Sequence, residues 1–438
     1  MESIHNDSAD ITHVDNVGDD TAKVVSENEP NIAPNIDAVD SLIAKQMMEL
    51  SMKDREKVYM DVHGVRQGPT ETEEAIEKGL DSMHREIDKL KDKRAYDLAL
   101  SMNSEYVENR SFQLAFLRAD SFDAKKGALR IVRFFQLKLD LFGEDKLVLD
   151  IVQDDLGREA MHEIYSGRKQ GLDAQDRTGR WINFAIVGTE NSLRALLQRA
   201  YYNTMVAIRK PEAQENGFVS VIYGVGNQSD VTKVPNPWNL TRMMQAMPVR
   251  IEAIHFCHDS VIYRVLFGIV KTALSPFVKI RSRTHYGTHD EVISSLAGFG
   301  IASGTIPVTK GGEISNLQAF RERLMEMRAE ERHQQPRRDK VHVPFKADVL
   351  FGKGTPFQTH PGNIQLRSLV TERYKMYQKA EKRGRKKQIA QEIVQIIHQN
   401  AGLFLRPDGD SWVCVDNDGA IQKVSALFRT IRVKRGDT

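Results

Sequence analysis

Cysteine is nearly absent from this chain. Cys257 and Cys414 are the only two in 438 residues, too few for a disulfide framework, which points to a reducing compartment rather than secretion. The N-terminus, MESIHNDSADITHVD, lacks the basic and apolar regions of a signal peptide, so a cytoplasmic protein is expected. Long apolar runs are missing as well. The most apolar stretch, Val261 to Leu274, is interrupted by Arg264 and Lys271 and falls short of the roughly 20 residues a membrane span needs. Residues 1–40 hold no aromatic residue and carry ten Asp/Glu against one Lys. Such a composition cannot bury enough apolar area to order itself, and an acidic disordered tail is expected there.

Catalytic signatures are equally scarce. Gly224-Val225-Gly226 does not complete G-x-G-x-x-G, and in Phe351-Gly352-Lys353-Gly354-Thr355 the first glycine required by G-x-x-x-x-G-K-[ST] is replaced by Ala347. Both read as tight turns. No nucleophile elbow, HExxH or paired-carboxylate constellation stands out, so neither an enzyme nor a cofactor is expected. His255 and Cys257 share one face of a strand while His258 points the other way, and no second ligand pair lies nearby at metal spacing, so no metal is expected either.

What the chain has is length, pattern and an uneven distribution of charge. Its 438 residues suit two or three domains. Net charge is only +2 overall, yet Val341 to Thr438 contains 17 Lys/Arg against nine Asp/Glu, enough to meet a polyanion or an anionic surface. Residues 41–110 read as a helical extension and 111–150 as a small helical lobe. Residues 151–325 alternate strand and helix: a turn at Asp176 to Gly179, then apolar strands at Trp181 to Val187, Phe218 to Tyr223 and Met247 to Phe256, with helices between. That order indicates an α/β fold with substantial parallel pairing. A charged linker is expected at 326–340. A basic α+β domain follows at 341–438, with a hairpin turning at Pro407-Asp408-Gly409.

The most informative stretch is Met247 to Gly312. From Val261 the apolar residues Val261, Ile262, Val265, Leu266, Ile269, Val270, Ala273 and Leu274 recur at helical spacing, so one stripe is expected to face a core. Tyr263 and Phe267 fall off that stripe, toward the outside. A helix that is greasy on both faces suits a membrane surface or the cover of an apolar cavity. Lys279, Arg281 and Arg283 alternate along KIRSR and, read as strand, share one face.

Three segments in fixed order, FLRADSFDAKKGA (Phe116 to Ala128), PVRIEAIHF (Pro248 to Phe256) and IPVTKGG (Ile306 to Gly312), resemble the CRAL-TRIO lipid-binding family. The resemblance is to its tocopherol-transfer and retinaldehyde-binding branch and covers about Ser111 to Leu324. It implies a CRAL-TRIO lipid-binding fold with a helical N-terminal lobe, in which one hydrophobic small molecule or phospholipid is enclosed behind a mobile helix. It implies a cavity and gate formed by Ile222, Ile254, Phe256, Val261, Val265, Leu266, Ile269 and Val270. It further implies phosphoinositide headgroup contacts by Arg118, Arg250, Lys279 and Arg281, made during transient association with a membrane surface. The chain departs from the branch at His258-Asp259-Ser260, at Thr309-Lys310 and at the acidic Glu252. DVLFGKG, HPGN (His360 to Asn363) and the KVSALFR helix resemble a domain of unknown function that recurs in diatom proteins, a resemblance that implies no chemistry. In that domain the run KAEKRGRKK (Lys379 to Lys387) reads either as a solvated face or as a contact for a polyanion or protein partner through Lys382, Arg383, Lys386 and Lys387. The leading expectation is therefore non-enzymatic lipid binding or transfer. The alternative is a regulatory nucleic-acid-binding protein acting through its basic end.

Overall fold

A computed structural model describes residues 36–65, 71–187, 192–226, 237–335 and 339–435. The acidic segment expected to be disordered lies outside them up to residue 35. Seven helices open the described chain: α1 (Ile36–Glu49), α2 (Met52–His63), α3 (Glu73–Asp88), α4 (Arg94–Met102), α5 (Ser104–Val107), α6 (Arg110–Ala119) and α7 (Ala124–Phe142). Their starts follow the sequence: Ser51, Thr72, Asn103, Asn109 and Asp123 each accept a hydrogen bond from a backbone N–H of the first turn. Helices α3 to α7 share one core in which Phe116, Phe134 and Phe135 are fully buried and pack edge to face. From α3 onward the expected extension therefore packs with the small lobe as a single unit, whereas Val58 and Val62 of α2 pack against Ile280.

A mixed sheet follows. Helix α8 (Arg158–Tyr165) leads into β1 (Lys169–Gln175) and β2 (Trp181–Ile186), then α9 (Leu193–Ala207), α10 (Pro211–Asn216), β3 (Phe218–Tyr223), α11 (Pro237–Ala246), β4 (Ile251–His258), α12 (Val261–Ala273), α13 (Pro276–Lys279), β5 (Ser282–Tyr286) and α14 (His289–Gly298). Strand order is β1-β2-β3-β4-β5, with β1 antiparallel to β2 and the other neighbours parallel. One face carries Ile182, Phe184, Val219, Val221, Ala253 and Cys257, closed by Val292 and Leu296 of α14. The opposite face carries Trp181, Asn183, Ala185, Phe218, Ser220, Ile222, Ile254 and Phe256, covered by α9, α11 and α12 around a cavity. Helix α1 packs beside α12.

One expectation changes here. The basic strand does not begin at Lys279: Ser275 caps and Pro276 opens the short helix α13, so Lys279 lies in a helical turn and the strand starts only at Ser282. The sequence also marks Asn316 to Arg332 as a charged helix leaving the domain, and that helix overlaps the first part of the expected linker, 326–340. Helix α15 (Leu317–Gln334) runs through it and buries Arg328, Glu331 and Arg332. Arg332 donates to Asp154, between α7 and α8, at 2.7 Å and to Asp348 of the C-terminal unit at 2.6 Å, and Arg328 donates to Asp154 at 2.7 Å. Removing one member of such a buried set leaves a charge uncompensated, so this network fixes the C-terminal unit in place.

That unit contains β6 (Lys340–Val341), β7 (Val349–Leu350), α16 (Thr355–Thr359), α17 (Pro361–Lys379), α18 (Arg383–Gln399), β8 (Phe404–Asp408), β9 (Ser411–Cys414) and α19 (Asn417–Arg435). Its sheet runs β6-β9-β8-β7 beside a helical core built on Val370, Ile389, Ile393, Val424 and Phe428. The architecture is thus α/β, with a helical N-terminal region, a largely parallel sheet of CRAL-TRIO type and a small C-terminal α+β unit.

Candidate functional site

The cavity holds about 270 Å³ between the sheet and helices α9, α11 and α12. It exists because the middle rows of its sheet face are small: Gly171, Asn183 and Ser220 lie side by side in register, as do Ala185 and Ile222 in the next row. Of the residues implied by resemblance, Ile222, Ile254, Phe256, Leu266 and Val270 line it, joined by Phe267, Leu274, Met244 and Met247.

Val261, Val265 and Ile269 do not line it. The inward face of α12 is rotated relative to the sequence expectation: Leu266, Val270 and Leu274 of the expected stripe stay inside, joined by the two aromatics. Tyr263 and Phe267 point inward and are buried, whereas Val261 is 71% exposed and Ile262 60%. Phe267 packs on Phe256 with ring centroids 4.9 Å apart, and the Tyr263 ring sits over Gly224, where an added Cβ would stand 3.1 Å from it. Both stripes are apolar at helical spacing, so periodicity alone does not choose between them. The aromatic stripe goes inside because each ring removes more area from water than a valine does.

One end of the cavity is polar. Lys169 from β1, Asn183 from β2, Ser220 from β3 and Arg199, Asn203 and Thr204 from α9 line it. Lys169 donates to Glu163 at 3.0 Å. Arg199 and Trp181 are each only 9% exposed, and Arg199 Nε and Trp181 Nε1 are buried donors with no acceptor among the described residues. Sequence reasoning missed this end. The signal was present in α9, where Leu196, Arg199, Asn203 and Ala207 recur on one helical face.

The four basic residues assigned to a headgroup all have protein partners. Arg118 is held by Glu71 at 2.6 Å and Glu215 at 3.1 Å. Arg250 pairs with Glu252, the residue that departs from the branch pattern, and donates to the carbonyls of Arg118 at 3.1 Å and Glu215 at 2.7 Å. Arg281 donates to Asp61 at 2.8 Å and lies on the Phe277 ring, and Lys279 Nζ reaches the Thr272 carbonyl at 3.4 Å. Of the four, Arg250 alone borders a surface cleft of about 500 Å³, together with Lys57, Lys126, Arg130 and Arg133. Arg130 is structural, gripping Asp120 at 2.7 Å and the Met244 and Met247 carbonyls at 2.7 and 2.8 Å. Lys57 and Arg133 are exposed and have no ion-pair partner among the described residues. The spacing of Lys126, Arg130 and Arg133 along α7 marks one basic helix face.

His255 faces the packed side of the sheet. Its Nδ1 lies 2.9 Å from His285 Nε2, and His285 Nδ1 lies 2.8 Å from Ser295 Oγ. The other ring nitrogen, His255 Nε2, is buried and has no partner among the described residues. Burial and then the His285 and nearby Arg charges hold His255 well below the usual histidine range, and burial with Arg283 holds His285 down at about 4.

In the C-terminal unit, Lys382, Arg383 and Lys387 are exposed at the start of α18, while Lys386 is half-buried with its ammonium 5.6 Å from the Tyr377 ring. The conspicuous motifs there are structural. Asn363 clamps Leu350 through both its backbone N–H and its carbonyl, at 2.7 and 2.9 Å, and Asp348 accepts from Phe345 N, Leu403 N and Arg332. Any Cβ at Gly362 would collide with the Asp348 carbonyl at 2.1 Å, so this close approach requires glycine.

Residues 348–430 match a family described as a domain of unknown function, DUF6824. The chain is also similar to clavesin-1, a CRAL-TRIO protein, of Rattus norvegicus and of Mus musculus. The identity to each is 26% over 198 residues, 42% of this chain and 52% of the relative. The chain thus spans about half the length of the curated relatives it matches. The family match falls within the α+β unit that follows α15, and the similarity to clavesin-1 is consistent with the CRAL-TRIO-like α/β architecture.

Proposed function

We propose that this protein binds one hydrophobic lipid without chemical turnover and passes it to or from membranes. The observation that carries the reading is the pairing of an apolar cavity with a covering helix, α12, whose outer face leaves Val261 and Ile262 in water. Burying each lipid methylene is worth about 0.8 kcal/mol relative to water, and a membrane offers the same surroundings, so the lobe exchanges its ligand at a bilayer rather than extracting it irreversibly. Helix α12 swings outward as a gate, and its exposed valine and isoleucine enter the interface. Phosphoinositide contact in this chain falls to the exposed Lys57, Lys126 and Arg133 with Arg250 behind them, while Arg118, Lys279 and Arg281 hold the wall. Transfer of a fluorescent lipid between vesicles tests this reading. Ile262→Asp is expected to slow transfer about tenfold or more at unchanged thermal stability, since exposed substitutions cost within about 0.5 kcal/mol. Unaltered transfer would remove the gate from the account.

A second reading concerns the C-terminal unit alone. Helix α18 opens on Lys382, Arg383, Lys386 and Lys387 with no acidic residue in its first turn, which supports docking of a polyanion or an acidic partner there. Alanine at all four positions is expected to abolish salt-sensitive retention on heparin and to leave lipid content intact.

A further inference from the structure

The walls of the cavity are chemically lopsided. The β4 and α12 side offers Ile254, Phe256, Leu266 and Val270, whereas the β1, β2 and α9 side offers Lys169, Trp181 and Arg199. A buried polar group without a partner is costly, and native proteins rarely keep one without a reason. Two occur here in one cavity, and both are donors: Arg199 Nε and Trp181 Nε1. A site with spare donors accepts oxygen, and a ligand that is itself only a donor would leave them unsatisfied.

Charge narrows the choice further. Lys169 and Arg199 face one buried carboxylate, Glu163, which Lys169 already engages at 3.0 Å. Arg168 adds a further positive charge beside Lys169, so positive charge is in excess and the pocket favours an anionic head. The same imbalance is visible in the titration of the two cations: burial lowers Arg199 to about 10, and burial followed by repulsion from Arg199 lowers Lys169 to about 8. A guanidinium fork matches both oxygens of a carboxylate. At about 270 Å³ the cavity lies just under the roughly 300–1,000 Å³ of typical ligand pockets, room for one chain rather than two.

We propose that the cavity receives a single-chain amphiphile with a carboxylate head, held by Arg199 with Trp181 and Lys169 beside it and with its chain directed toward α12. The assignment rests on the lipid-cavity reading above and specifies its ligand class.

The test compares oleate with oleyl alcohol, which share a chain and differ in head, by calorimetry on the delipidated full chain. The wild type is expected to bind oleate about tenfold or more tightly than the alcohol, the effect of one charge-assisted hydrogen bond in a buried site. Arg199→Met is expected to bring that ratio toward one. Arg199→Lys, which keeps the charge, is expected to retain part of the preference, and Trp181→Phe, which keeps the ring and deletes the donor, to lower it severalfold. Equal affinity for the two probes in the wild type, or an undiminished ratio in Arg199→Met, would overturn the carboxylate assignment and leave the lipid cavity standing. Failure of the wild type to bind either probe would overturn the cavity reading together with it.

Discussion

The two faces of the five-stranded sheet are built from the same strands and end in opposite states. On the α14 side, Ile182, Phe184, Val219 and Val221 are all fully buried against Val292 and Leu296, and the face closes into solid core. On the other side the alternate residues Asn183, Ala185 and Ser220 are smaller or polar, and about 270 Å³ stays open. Strand alternation assigns each residue to a face, and side-chain volume along each face decides whether that face packs or encloses a ligand. Stability therefore belongs mainly to one face and the proposed ligand binding to the other.

The largest expected effect comes from damaging the packed face. Phe184→Ala should cost about 3–5 kcal/mol, read as a lower midpoint in chemical denaturation. The next acts on the same face through pH. His255 and His285 are neutral in the folded state because burial holds their affinity for protons down, to about 4 for His285. The unfolded chain takes up protons below its ordinary value of 6.5 while the folded chain does not. Stability is thus complete above about pH 6.5 and is lost as the pH falls toward about 4, by no more than roughly 3 kcal/mol for His285. Denaturation at pH 7.5 and 5.0 measures the loss, and His285→Asn should shrink it. The smallest effect on stability and the largest on ligand comes from the cavity face. Ala185→Phe places a ring in open space, so stability should move by less than about 1.5 kcal/mol while lipid uptake is lost. A large destabilisation by Ala185→Phe together with retained uptake would erase the distinction between the faces.

Much of this arrangement is legible in the sequence. The continuous apolar strands Phe218 to Tyr223 and Trp181 to Ile186 announce a buried parallel sheet, and their order with the intervening helices gives the α/β architecture. Strand β1 is not legible in that way, since KQGLDAQ holds one large aliphatic residue and gains its place only by antiparallel pairing with β2. The rotation of α12 arises because both faces of the helix are apolar, and the choice depends on the partners each face meets, Phe256 of the neighbouring β4 and Gly224 at the end of β3. The basic residues carried over by resemblance are present, but the acidic partners Glu71 of Arg118 and Asp61 of Arg281 come from separate segments that no local pattern links to them, whereas Glu252 stands two residues from Arg250 in the same segment. The burial at the end of α15 has the same origin. Arg328 and Arg332 look like solvated charges until Asp154 and Asp348 arrive from either side.

The central claim is that the open face of the sheet holds one lipid. Native mass spectrometry of the purified full chain, with organic extraction of whatever accompanies it, tests that claim most directly. The account predicts one single-chain lipid per protein, present in the wild type and in Phe184→Ala that remains folded, and missing from Ala185→Phe. A wild-type protein that is empty as purified and stays empty after incubation with mixed-lipid vesicles would contradict it.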